Sequence, residues 1–191
     1  MNVTIFAMIY VICAAAALYI RVIFMTRIGD RRAYRSSMMD KLLVFLIVAS
    51  MIAPLGFILT PHLNFANYSV PDTLAWLGVM LIVLSLLLLW RSHSDLGVNF
   101  ALTPGVHGEQ SLVKNGVYRH VRHPMYTSLW LWAFSMPLLL HNLVAGAVFL
   151  VVFGSFYLAR VPIEEAHMTE RFGDEYLEYM EETGRLFPRL K

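Results

Sequence analysis

Residues 125–159 read MYTSLWLWAFSMPLLLHNLVAGAVFLVVFGSFYLA, two apolar runs joined only by His141-Asn142. Met125 to Leu140 and Leu143 to Ala159 each fall short of the roughly 20 residues that a helix needs to cross a hydrocarbon core. They predict a tight helical hairpin that crosses and returns, or that just reaches the far interface. A hairpin brings its two ends back to one side. Polar residues stand at both ends: Arg122-His123-Pro124-Met125-Tyr126 opens the first run, and Arg160 with Glu164 and Glu165 closes the second. Groups about 35 residues apart can therefore meet at one membrane face by helix-pair geometry. A site assembled there suits a lipid-like substrate.

Upstream of the hairpin, Val3 to Phe24, Lys41 to Thr60 and Thr73 to Trp90 approach or reach spanning length, which makes five predicted spans in all. Composition agrees. The 191 residues are 58% hydrophobic and 15% charged, with a mean hydropathy of +0.61, against about 25% charged in soluble proteins. The expected class is an all-α integral membrane protein, its last two helices a short hairpin, completed by a cytoplasmic connecting loop and a C-terminal amphipathic helix.

Positive charge alternates between loops. Arg27, Arg31, Arg32, Arg35 and Lys41 follow the first span; Arg91, Lys114, Arg119 and Arg122 follow the third; Arg160, Arg171, Arg185, Arg189 and Lys191 follow the fifth. Pro61 to Asp72 and His141-Asn142 carry no Lys or Arg. The positive-inside rule then puts the N-terminus outside and the C-terminus in the cytoplasm, with a cell (inner) membrane favoured over the endoplasmic reticulum. Arg21, inside an apolar run, can snorkel to the cytoplasmic face. Ala14 to Ala17 resemble a cleavage region, but no basic segment precedes them, and the expectation is a retained first span.

Several function classes lose their footing. A net charge of +2 gives no argument for nucleic acid. Cys13, the single cysteine, permits neither an intramolecular disulfide nor a thiolate cage. The apolar runs hold no Asp or Glu at depth and no inverted repeat is visible, which weakens a pump or transporter reading. His120 and His123 lack a third ligand at a persuasive spacing, and no nucleophile elbow or phosphate-cradling loop is present. No metal and no obligate protein partner are indicated.

The polar material lies in the connector Arg91 to Arg122 and in the tail from Arg160 onward. Gly97, Gly105, Gly108 and Gly116 with Pro104 allow the connector tight turns. In the tail, Pro162 suits a helix start and Gly184 a stop, so one amphipathic helix is predicted over Ile163 to Thr183, with Phe172, Tyr176, Leu177, Tyr179 and Met180 on its buried side. Arg160 and Glu164 stand at i, i+4, the spacing of a plain ion pair as much as of a site.

The run Leu112-Val113-Lys114-Asn115-Gly116-Val117-Tyr118, then Arg122-His123-Pro124-Met125-Tyr126, resembles the isoprenylcysteine carboxyl methyltransferases and the related phospholipid methyltransferases. The tail is similar too: Arg160 with Glu164-Glu165, Phe172-Gly173-Asp174-Glu175-Tyr176-Leu177-Glu178-Tyr179, and Gly184-Arg185-Leu186-Phe187-Pro188, in the same order. The likeness covers about Ser92 to the end and fits a compact prokaryotic member. It implies methyl transfer from S-adenosylmethionine at the cytoplasmic face. By position, Gln110, Ser111, Leu112, Val113, Tyr118, His123, Pro124, Met125, Tyr126 and Glu164 match cofactor-contact motifs, and Arg160 the substrate-side arginine, so that Arg160 and Glu164 become the catalytic candidates. Gln110-Ser111 departs from the family's usual histidine and small polar residue.

The chemistry is consistent with those roles. A sulfonium cofactor calls for an anion and aromatic faces, which Glu164 with Tyr118 or Tyr126 can supply. A prenylcysteine carboxylate is already ionised and needs a cationic clamp, for which the Arg160 fork is suited. The alternative is N-methylation of a phospholipid amine such as phosphatidylethanolamine, which needs a base, Glu165 or His123. A non-enzymatic membrane adaptor is the reading from another class. The expected organisation is a three-span region over 1–91 and a cofactor-binding catalytic region over 92–191, and the expected partners are a lipophilic or prenylated substrate and membrane lipids.

Overall fold

The computed structural model describes residues 4–28, 38–97 and 111–189. Most of the glycine-bearing connector, Gln110 included, lies outside them. Six α-helices are described: α1 (Ile5–Ile28), α2 (Met38–Leu59), α3 (Asp72–Leu96), α4 (Pro124–Leu140), α5 (Leu143–Phe172) and α6 (Asp174–Glu182). Among the described residues there are two isolated β-bridges and no strand. By length and composition α1, α3 and α5 can cross a membrane, while α2 is a shorter apolar helix over its described part and α4 is 17 residues long.

The centre of the bundle is α3 against α4 and α4 against α5. Helix α1 lies across α3 and α4, and α2 against α5. Lipid tails are as apolar as leucine, so these helices associate through close packing. Small residues make it possible: a Cβ on Gly78 of α3 would stand 2.8 Å from Leu138 Cβ, and one on Gly146 of α5 only 2.6 Å from Pro137 Cα. Tyr10, Ile82, Trp132, Met136, Leu139, Phe149 and Phe153 fill the interior. Ser85 Oγ donates to the Ser128 carbonyl at 2.7 Å, tying α3 to α4.

The two-residue joint forms as the sequence suggests. His141 takes a left-handed conformation (φ 52°) and Asn142 caps α5, its side chain accepting from Ala145 N–H at 2.9 Å. The fully buried Asn142 amide also donates to the Leu63 carbonyl and to Asn67 Oδ1, both at 2.7 Å. Tyr68 adds a bond from its N–H to the His141 carbonyl and one from its hydroxyl to the Pro137 carbonyl. The loop between α2 and α3 is thereby sewn to the hairpin tip.

The tail differs from expectation. Pro162 does not start a helix: α5 continues through it to Phe172, and the single amphipathic helix predicted over Ile163 to Thr183 is instead the end of α5 followed by the nine-residue α6. A proline removes one helical hydrogen bond and strains one turn. Here that turn lies on the outer side, where Leu158 and Pro162 are exposed, while buried Val161 and Glu165 hold the other side in register. The break comes at Gly173, whose φ of 54° favours glycine. Tyr176 and Tyr179 are the buried face of α6, whereas Leu177 points outward.

Candidate active site

At the open end of the hairpin two carboxylates next to one another in sequence gather separate partners. Glu164 Oε1 accepts from the Tyr126 hydroxyl at 2.7 Å and from Arg160 Nε at 3.4 Å. The Arg160 and Glu164 side chains are only 11% and 19% exposed, so the pair is more than the solvated i, i+4 contact that the spacing alone allows. The Tyr126 ring stacks on His123 (centroids 5.5 Å apart) and meets Tyr157 edge-on at 5.8 Å. Helix α4 supplies Tyr126, with His123 at its N-cap and Pro124 at its first turn, where the missing proline N–H costs nothing.

Glu165, 7% exposed in its side chain, accepts from Arg122 Nε at 3.3 Å and from Arg185 Nε at 3.1 Å, meets His123 Nε2 at 3.2 Å, and binds Arg185 Nη2 through its other oxygen. The Arg122 guanidinium also caps the Met180 and Thr183 carbonyls at the end of α6. The bond to Glu165 holds the Arg185 guanidinium above its ordinary range. The tail then runs beside the loop. Arg122 N–H donates to the Gly184 carbonyl at 2.9 Å, His123 N–H to that of Arg185 at 3.1 Å, and Thr127 Oγ1 to that of Leu186 at 2.8 Å.

The residues before the hairpin form a second group. Tyr118 is buried, with its hydroxyl 3.4 Å from the Ser92 carbonyl, and its own carbonyl accepts from the Tyr179 hydroxyl at 2.6 Å. Burial pushes the Tyr118 phenol well up and that of Tyr179 to about 12, so both remain donors at neutral pH. Tyr118 thus serves packing here and does not turn a ring face outward. Asp95 accepts from Val117 N–H at 2.8 Å and pairs with Arg91 at 3.1 Å. A Cβ on Gly116 would fall 2.1 Å from Asp95 Oδ2, which explains a glycine at that φ of 58°. Ser111, Leu112 and Val113 line an open cleft of about 400 Å3 with Asp95, Lys114 and Asn115.

The structure therefore brings His123, Tyr126, Arg160 and Glu164 together as a contact cluster. Pro124 and Met125 are the first turn that presents it, and Ser111 to Val113 form a neighbouring group with separate contacts. The two groups are joined through Tyr118, Tyr179 and the Arg122-bound end of α6. From the sequence, Arg122 and Arg185 are loop and tail charges within motifs, and Glu165 is a motif member and the candidate base of the alternative N-methylation; none of the three is expected to form a shared ionic group. A signal for Arg122 and Glu165 is present in the sequence: two adjacent glutamates follow one apolar run and an arginine-histidine pair precedes the other, so the hairpin brings opposite charges to one end, although both basic groups meet the same carboxylate, Glu165. Nothing local marks Arg185.

Comparisons with known proteins agree with this architecture. Residues 73–175 match the family described as Phospholipid methyltransferase. The chain is 32% identical over 129 residues to the protein-S-isoprenylcysteine O-methyltransferase of Saccharomyces cerevisiae, covering 66% of this chain and 54% of that protein. With the protein of the same name from Schizosaccharomyces pombe it shares 38% over 79 residues, 41% of this chain and 34% of the relative. The matches thus take in between a third and a little over half of the relatives' length. A solved structure of the eukaryotic intramembrane Ras methyltransferase, isoprenylcysteine carboxyl methyltransferase, superposes with a TM-score of 0.56 at 17% identity, over 94% of this chain and 67% of that one, and shows a shared fold. The likeness drawn from the histidine-proline and tail motifs is borne out. With more than half of its 191 residues inside the matched segment, the chain belongs to the phospholipid methyltransferase family.

Proposed function

We propose that this chain is a membrane-embedded, S-adenosylmethionine-dependent methyltransferase that O-methylates the carboxylate of a prenylcysteine-like lipophilic substrate at the cytoplasmic face. The observation that carries the reading is the Arg160–Glu164–Tyr126 array at the open end of an apolar hairpin. It joins a cation suited to a substrate carboxylate to an anion suited to a sulfonium. The donor set fits the cofactor: a largely buried carboxylate, held on one oxygen by the phenol of Tyr126, whose ring meets Tyr157 edge-on, offers the negative, aromatic surroundings that a sulfonium needs. When bound, S-adenosylmethionine supplies an electrophilic methyl group. Glu164, Tyr126, His123 and the first turn of α4 would hold it, with backbone groups of Gln110 to Val113 and the segment ending at Tyr118.

The remaining work belongs to this chain. Methyl transfer is an in-line displacement, so holding the reacting atoms about 3 Å apart is most of what a protein can contribute. Arg160 carries five N–H donors in one plane, and anchoring Nε on Glu164 fixes the plane in which the guanidinium meets a carboxylate. The partial burial of both side chains limits competition from water. In this reading residues 92–191 bind cofactor and catalyse, and residues 1–91 frame the membrane region. The N-terminus lies outside, and cysteine labelling at Asn67 and Asn115 should react from opposite sides of a cell (inner) membrane. Labelling from the same side rejects the layout.

The deciding assay offers purified protein labelled cofactor with either a farnesylcysteine analogue or phosphatidylethanolamine. Base-labile methyl ester is expected. Arg160→Lys, which keeps the charge and loses the fork, should lower ester formation on the order of 100-fold with cofactor affinity nearly unchanged. Stable methylamine alone would replace this reading with phospholipid N-methylation.

A further inference from the structure

We propose that Glu165 is a positioning residue: its carboxylate holds the His123 imidazole protonated at Nε2 and, through the ring stack of His123 on Tyr126, sets where Glu164 stands. The inference rests on the methyltransferase reading for its consequence, but not for its geometry. Glu165 lies between two guanidiniums, Arg122 and Arg185, both bonded to its oxygens. A carboxylate so paired is ionised and acts only as acceptor. His123 Nε2, 3.2 Å from the same Oε1, must therefore donate. A neutral His123 is then the Nε2–H tautomer and keeps Nδ1 as an acceptor.

Three segments far apart in the chain converge on that one carboxylate: the loop before α4 through Arg122 and His123, α5 through Glu165 itself, and the tail through Arg185. The backbone bonds from Arg122 to Gly184 and from His123 to Arg185 run parallel to the side-chain contacts, so the loop cannot slide along the tail without breaking both sets. Gly184 admits no slack, because a Cβ there would fall 1.7 Å from the Phe187 carbonyl oxygen. His123 in turn lies against Tyr126, and the Tyr126 hydroxyl holds Glu164. Orientation thus passes from Glu165 to His123, to Tyr126, to Glu164. The two adjacent glutamates divide the work: Glu164 faces the reaction and Glu165 locks the frame.

The test uses full-length protein in nanodiscs with 15N-labelled histidine, His123 being assigned by the signal lost in His123→Asn. Wild type should show His123 protonated at Nε2, and Glu165→Gln should redistribute that signal between tautomers and raise the Kd for S-adenosylmethionine at least tenfold. Glu165→Asp, which keeps the charge but draws it back by one methylene, should move both readouts in the same direction and serves if the glutamine variant does not fold. An unchanged His123 signal in either folded variant, or a changed signal with a Kd within twofold of wild type, overturns the proposal. If wild type binds no S-adenosylmethionine, the functional reading fails, and the His123 signal still decides whether Glu165 positions the imidazole.

Discussion

The two ends of the α4–α5 hairpin solve the same problem, holding a tight helical pair against the rest of the bundle, with opposite chemistry. At the tip a single buried amide, Asn142, caps α5 and binds the α2–α3 loop through neutral hydrogen bonds of 2.7 to 2.9 Å. At the open end two carboxylates, three arginines and a histidine are packed with little solvent access. Only Arg185, 48% exposed in its side chain, reaches out. Desolvating an ion costs several kcal/mol that pairing only partly offsets, so buried charge is a poor choice for a purely mechanical joint. The tip shows that an uncharged network suffices. The charges at the other end therefore point to chemistry and to the frame that positions it, whereas the tip serves stability alone.

That separation can be broken by experiment. The largest effect is expected at the tip: Asn142→Ala removes the cap of α5 together with the amide bonds to the Leu63 carbonyl and Asn67 Oδ1, a loss of about 2–4 kcal/mol in unfolding stability. Unfolding in detergent measures it, and activity per folded molecule should hold. Glu164→Gln should do the reverse, weakening S-adenosylmethionine binding by about 1–3 kcal/mol in calorimetry while the unfolding midpoint stays near that of wild type. An unchanged affinity would remove Glu164 from the cofactor role. The smallest effect is assigned to Lys114→Ala. Its 2.7 Å pair with Glu175 joins two half-exposed side chains and should be worth no more than about 0.5 kcal/mol to folding. A larger loss there would mean that even exposed charge at this end carries folding stability as the tip does, and the contrast between the ends would weaken.

The hairpin was legible because a joint of two residues between apolar runs leaves no other geometry, and Asn142 is a standard capping type. Arg160 beside Glu164 was legible from i, i+4 spacing. The course of α5 was not: Pro162 reads locally as a helix start, and only the burial of Val161 and Glu165 on the inner face, a tertiary fact, carries the helix across it. The role of Glu165 was hidden for a related reason. Its partners Arg122 and Arg185 lie 43 and 20 residues away on irregular segments, where no periodicity announces a contact. The sequence offers Tyr118 or Tyr126 as a ring face for the cofactor, and it does not show that the Tyr118 ring is buried, with its hydroxyl 3.4 Å from the Ser92 carbonyl.

The unbroken passage of α5 through Pro162 also makes the helix a ruler. At 1.5 Å per residue its 30 residues extend about 45 Å, well beyond a hydrocarbon core of about 30 Å. Glu164 stands roughly 32 Å along that axis from Leu143. Under the proposed function, with α5 crossing the bilayer and no joint between its apolar part and the carboxylates, the height of Glu164 above the acyl chains would follow from how deeply Leu143 sits. On that reading bilayer thickness would control activity: longer acyl chains would draw the charged cluster toward hydrocarbon, and shorter ones would lift it away from a lipid-anchored substrate.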